Sequence, residues 1–191
     1  HYLGNDRLGQ GEYPAQHLAL EVPAALAAAE IGAHLPLDPS HHAEEWLERN
    51  ECPEREALYE AIIGTSVANQ DVNARMRLDS FAASQQGAWF GLLARYIDAR
   101  NHYYVTVRST GQVQIRKIVN GVITVLGTAN FTAVPGRYYD VRFLVINDQL
   151  QLYVDYTLVA TAHDRAIASG KYGLATYRAA ARWDSFWVLQ P

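Results

Sequence analysis

The chain is expected to be all-β, an antiparallel β-sandwich with a short helical N-terminal extension. Three observations lead there. From Ala57 onward apolar residues recur with a period of two, as in Val72, Ala74, Met76 and Leu78 against Asn73, Arg75 and Arg77. Side chains alternate between the faces of a strand, so this is the signature of a half-buried strand. Turn-forming residues separate the alternating runs at intervals of roughly 8–12 residues, the spacing of sandwich strands. No run in this part has a helical period, so the parallel sheets that need helical crossovers are excluded. With 49% hydrophobic and 19% charged residues, the 191-residue chain has material for a real core.

Taken in order, residues 1–20 show little pattern, and Gly4, Gly9, Gly11 and Pro14 punctuate them. Residues 23–33 are alanine-rich and begin with Pro23, a residue tolerated in a first helical turn. Residues 38–50 make a better helix. Asp38 caps it, Pro39 fits its first position, Glu44 and Glu45 follow early, and Trp46 and Leu47 would dock it. The composition then changes, and the boundary is drawn there: residues 1–55 as the extension with one or two short helices, residues 56–191 as the sandwich. Strands are expected at 57–63, 70–78, the two halves of 90–108, 113–119, 122–127, 138–146, 149–156, 157–164, 172–177 and 183–189. Asn120-Gly121 joins two of them, and this dipeptide is a strong hairpin signal because both residues accept positive φ. Asn147-Asp148 marks another tight turn. Val72, Ala74, Met76, Leu78, Val141, Phe143 and Val145 are expected to point inward.

Charge and cysteine narrow the function. The net charge of −4 argues against nucleic acid as the partner, which needs a basic footprint. Nearly all positive charge comes from arginine, since Lys117 and Lys171 are the only lysines. Arginine suits bidentate recognition of carboxylates. Cys52 is alone, so no internal disulfide forms. No apolar run approaches the roughly 20 residues of a membrane-spanning helix, and no membrane partner is expected.

The segments 73–81 (NARMRLDSF), 91–122 (GLLARYIDARNHYYVTVRSTGQVQIRKIVNGV), 137–155 (RYYDVRFLVINDQLQLYVD) and 169–188 (SGKYGLATYRAAARWDSFWV) carry a resemblance. Together they resemble the concanavalin A-like, laminin-G-like jelly-roll domains of bacterial secreted polysaccharide-active proteins, including modules appended to pectate lyases. The resemblance implies two facing sheets, one concave, with glycan bound on the concave face or at a rim loop. It also implies a secreted location, extracellular or periplasmic, and an upstream catalytic domain as a partner. Many members hold a structural calcium with a ligand in the last strand. Asp184, in Trp183-Asp184-Ser185-Phe186, matches that position, and no matching acidic motif precedes residue 60. No cofactor is otherwise required.

Basic and aromatic residues recur together along this region. The ligand-binding candidates are Arg95, Tyr103, Arg108, Arg116, Lys117 and Arg178, with Arg75, Arg77 and Tyr104 in the same constellation. Guanidinium forks pair with uronate carboxylates, and aromatic rings stack on sugars. The alternative is ordinary solvent-facing strand residues. Arg95 and Arg108 fall on adjacent strands of a hairpin, where close neighbours lie about 5–8 Å apart, so two forks could grip consecutive carboxylates. A register error of one residue would turn this set to the other face. Trp183 and Trp187 are expected to share a face. The function expected is a non-catalytic carbohydrate-binding module for an acidic polysaccharide such as polygalacturonate. One alternative is a small polysaccharide lyase acting by β-elimination with Tyr103 or His102 beside Arg95 or Arg108. Another is a structural sandwich that mediates protein contacts. The paired carboxylates of a glycosidase are absent.

Overall fold

A computed structural model describes residues 58–82 and 87–191. The two expected helices, the boundary at residue 55 and Cys52 lie outside the described residues. Eleven strands follow one another: β1 (Leu58–Val67), β2 (Gln70–Phe81), β3 (Trp89–Asp98), β4 (Asn101–Arg108), β5 (Gln112–Val119), β6 (Val122–Asn130), β7 (Tyr138–Ile146), β8 (Gln149–Val154), β9 (Thr157–His163), β10 (Gly170–Tyr177) and β11 (Ala179–Leu189). They form a larger sheet in the order β1-β10-β3-β4-β5-β6 and a smaller one in the order β11-β2-β7-β8-β9. Every ladder is antiparallel. The all-β sandwich is therefore what forms.

The core lies between the sheets and follows the alternation. Val72, Ala74, Met76 and Leu78 of β2, with Val141, Phe143 and Val145 of β7, are all 2% exposed or less and belong to one cluster. The larger sheet answers with Phe90, Leu92 and Ala94 of β3, Tyr103, Val105 and Val107 of β4, and Val113 and Ile115 of β5. Each fully buried aliphatic side chain contributes about 1.5–3 kcal/mol, so this layer is what holds the sheets together. The Asn120-Gly121 turn has φ of 52° and 81°, the left-handed pair that a two-residue hairpin needs.

Irregularities in two strands overturn sequence expectations. In β11 the register shifts between Trp183 and Ser185. Trp183, Phe186 and Val188 consequently point inward, and Trp187 does not share the face of Trp183. In β3, Ala94 pairs with Tyr103 and Asp98 with Asn101, so Arg95, Tyr96 and Ile97 face His102 alone. This bulge turns Tyr96 away from the inward face of Phe90, Leu92 and Ala94, to which simple alternation assigns it.

Candidate functional site

The bulge decides the fate of Arg95. Its φ is 46° and its side chain turns into the end of the sandwich, where it is 2% exposed. Nε donates to the Ala68 carbonyl at 2.7 Å, Nη1 to Ile167 at 2.8 Å and Nη2 to Asn147 at 2.8 Å. One guanidinium thus ties the β1–β2 turn, the β7–β8 turn and the β9–β10 loop together. Beside it, Tyr103 is fully buried, donates its hydroxyl to Asp164 Oδ1 at 2.6 Å and accepts from the Ile167 amide at 3.1 Å. Burial, reinforced by the bond to Asp164, pushes the Tyr103 phenol up to about 12. Lys117 completes this end by pairing with the other oxygen of Asp164. Three expected ligand residues, Arg95, Tyr103 and Lys117, are therefore brought together, with their polar groups engaged inside the fold. The expected closeness of Arg95 and Arg108 does not occur. Arg108 pairs with Trp89, six residues along β3 from Arg95, a separation of about 20 Å at the rise of a strand.

Arg108, Arg116 and Arg178 belong to the opposite surface, the outer face of the larger sheet. Its centre is a second buried cluster of Trp89, Leu93, Tyr104 and Ala175, with Ile62, Tyr96, Ile118 and Tyr177 packed around it. The Trp89 ring lies 5.4 Å from Tyr104 and 6.5 Å from Tyr177. Gly91 lies between Trp89 and Leu93 on this face, and a Cβ there would meet the Val105 carbonyl oxygen at 1.9 Å. Only glycine fits there. Arg178 stands over Tyr177 at 4.9 Å. Arg116 lies across the strand from Tyr104, 5.9 Å from its ring, and donates to its hydroxyl at 3.4 Å. Arg108 reaches the Gly87 carbonyl at 3.3 Å.

These contacts leave much of the polar capacity of the face unused. Thr106 Oγ1, Arg108 Nη1, Gln114 Oε1 and Arg116 Nε are all buried without a hydrogen-bond partner. Thr106 and Gln114 are direct cross-strand partners, and Arg116 and Arg108 flank them. Most buried polar groups in proteins are satisfied, so four orphans on two adjacent strands call for an explanation. Charge points the same way. Among the described residues, Arg75, Arg77, Arg137, Arg142, Arg165 and Arg182 each meet an aspartate. Arg108 and Arg116 meet no carboxylate among these residues. Burial and then the neighbouring Arg116 charge lower the pKa of Arg108. Burial raises the Tyr104 phenol, against the opposing pull of Arg116 and Arg108. Two half-buried cations thus lie close enough to repel each other, with no carboxylate beside them among the described residues.

His102 lies on this face but is packed away. It is 2% exposed, its Nδ1 lies 3.0 Å from the Asp98 carbonyl, and its ring stacks on Tyr96 at 5.0 Å. A carbonyl only accepts, so Nδ1 carries the hydrogen. Burial holds the imidazole below its ordinary pKa. Neither His102 nor Tyr103 stands open beside an arginine as a base for β-elimination requires. Asp184 is also accounted for: it faces Arg75 at 3.6 Å. Among the described residues no group of three or more His, Cys, Asp or Glu is placed to hold a metal.

Thr106, Gln114 and Tyr177 are neighbours of Arg108, Arg116 and Arg178 on this face that the ligand-residue expectation left out. The signal was the parity of β4. Once Val105 and Val107 point inward, Tyr104, Thr106 and Arg108 share the other side, and Tyr103 goes with the core.

No protein-family model and no curated protein sequence matches this chain. Among solved structures, the carbohydrate-binding module CBM66 from Bacillus subtilis superimposes with a TM-score of 0.64 at 21% identity, over 72% of this chain and 84% of that one. A Bacillus subtilis protein of unknown function with a galectin-like fold gives 0.58 at 11% identity, over 72% and 80%. The Caenorhabditis elegans galectin LEC-6 gives 0.52 at 12% identity, over 71% and 91%. At these identities the likeness is one of fold, and it confirms the two-sheet sandwich expected of the concanavalin A-like class.

Proposed function

We propose that this chain is a carbohydrate-binding module that holds an acidic polysaccharide on the outer face of the larger sheet. The observation that carries the reading is the pair Arg108 and Arg116, half-buried, without a carboxylate partner, and each with an unpartnered nitrogen. A uronate supplies what this face lacks. Its carboxylate is an acceptor for the half-buried Arg108 and Arg116 guanidinium groups, which have no carboxylate of their own among the described residues. Tyr177, half-buried at the margin of the Trp89–Tyr104 cluster, offers an aromatic ring to the sugar. Support from outside the chain comes from the shared fold with CBM66 and the galectin LEC-6, whose names describe sugar-binding proteins. Within the notion of a secreted, appended module, binding rather than lysis fits better, because the nearby histidine is enclosed.

Each charge-assisted contact should contribute roughly 1.5–3 kcal/mol, or about tenfold to more than a hundredfold in affinity. Titration with polygalacturonate and with its methyl ester separates charge from shape. The acid form should bind, affinity should fall as salt rises, and the ester should bind at least about tenfold more weakly. Equal binding of both forms would exclude the carboxylate as the recognised group.

A further inference from the structure

The sandwich has four edge strands, and three of them carry the devices that keep sheet edges from pairing. β1 carries Glu60 and a register shift between Ile63 and Val67. β9 ends at His163 and is flanked by the charged Asp155 and Asp164. β11 carries Arg182 and Asp184 and two register shifts. The fourth edge, β6, is different. Residues 118–136 contain no Asp, Glu, Lys, Arg or His. The irregularity of β6 falls at Leu126, between the pairs Ile115–Gly127 and Arg116–Val125. The four residues before it, Val-Ile-Thr-Val, run in regular register with β5. Val122 is 66% exposed, Ile123 54% and Val125 44%. Among the described residues this strand is paired on one side only.

We propose that β6 is a self-association edge and that its occupant is the β6 strand of a second copy of this chain. A partner of different sequence would be selected by complementary charge, and this edge offers none to read. No charged residue lies on the strand itself, so no like charges of the two β6 strands face each other across the pairing, although each chain carries −4 overall. Antiparallel pairing of identical strands places the two-fold axis perpendicular to the sheet, which gives the closed, isologous symmetry of most homodimers. That axis keeps the outer faces of both larger sheets on one side. The joined sheet then presents two Arg108–Arg116 faces side by side, since Arg116 is itself the cross-strand neighbour of Val125. One edge strand buries less than the roughly 1,200–2,000 Å² of stable complexes, so the pairing is concentration-dependent. For a polymeric ligand, two linked faces raise avidity without any new contact.

Sedimentation of the full chain over a concentration series up to about 200 µM tests this, because mass action exposes a weak dimer. Wild type should pass from monomer to dimer. Ile123→Lys/Val125→Lys should stay monomeric with an unchanged melting temperature, and Leu158→Lys on the β9 edge should still dimerise. Single cysteines placed in turn at positions 122–125 in a Cys52→Ser background should form an interchain disulfide at the position nearest the axis. These variants serve as well if the double lysine variant does not fold. A wild type that stays monomeric throughout, a double variant that remains dimeric, or no cross-link at any of the positions overturns the proposal. None of these readouts uses a ligand, so they stand apart from the sugar-binding reading.

Discussion

The outer face of the smaller sheet and the outer face of the larger sheet are built from the same residue types. On the smaller sheet, Arg142 grips Asp71 through two bonds of 2.7 Å, Arg77 and Arg182 share Asp79, and Arg75 faces Asp184. Arg75 and Arg77 also lie over the Tyr138 ring at 5.1 Å and 5.2 Å. On the larger sheet, Arg108 and Arg116 lie near Tyr104 and Trp89 and meet no aspartate among the described residues. Composition does not distinguish the two faces; the state of their polar groups does. A face whose donors are matched is a solvated wall. A face whose arginines lack carboxylates is the one proposed here to take a ligand that brings them.

The contrast extends to Arg95, each of whose three side-chain nitrogens donates to a carbonyl and which should behave as structure. Arg95→Ala leaves three carbonyls and a cavity, at a cost of about 3–5 kcal/mol. For a chain of this size the melting temperature should fall by about 6–20 °C. Thermal unfolding checks this, and a drop under about 2 °C would place Arg95 back among the ligand candidates.

Asp164 gives a smaller effect with a sign in pH. Burial works to raise its pKa, but hydrogen bonds from Lys117 and Tyr103 outweigh this and hold it below the usual carboxylate range. A depressed folded-state pKa contributes stability that is present above the unfolded value, about 3.9, and is lost as pH falls through the folded one. Asp164→Asn should therefore cost about 1.5–3 kcal/mol at neutral pH and flatten the acid limb of stability below about pH 4. Urea melts of both proteins between pH 2 and 7, in roughly half-unit steps, measure it. Parallel curves would mean that Asp164 is not the group titrating.

The smallest effect belongs to the matched face. The Arg75–Asp184 pair is 52% and 53% exposed, so Arg75→Ala should change stability by about 0.2–1 kcal/mol. It should leave polygalacturonate affinity unchanged. Loss of affinity in this variant would erase the distinction between the faces.

The eleven strands and the inward residues of β2 and β7 were legible because alternation and turn residues are local signals. The site was legible in part. Arg108, Arg116 and Arg178 were named from their neighbours in sequence and do share a face. Arg95 was misplaced because a bulge has no local signature: three residues of β3 face His102 alone, and the partner strand sets that count. Trp187 was misplaced by the same kind of event in β11. Thr106 and Gln114 went unnoticed because their importance lies in a pairing across β4 and β5 that only the register reveals.

The most direct test compares arginines across the two faces. Calorimetric titration of polygalacturonate is made against wild type, Arg116→Ala and Arg75→Ala at two salt concentrations. The account predicts that Arg116→Ala weakens binding about tenfold or more, with its melting temperature within about 2 °C of wild type, and shows a shallower salt dependence. Arg75→Ala should match wild type throughout. Equal affinity in all three proteins, or loss confined to Arg75→Ala, would contradict it.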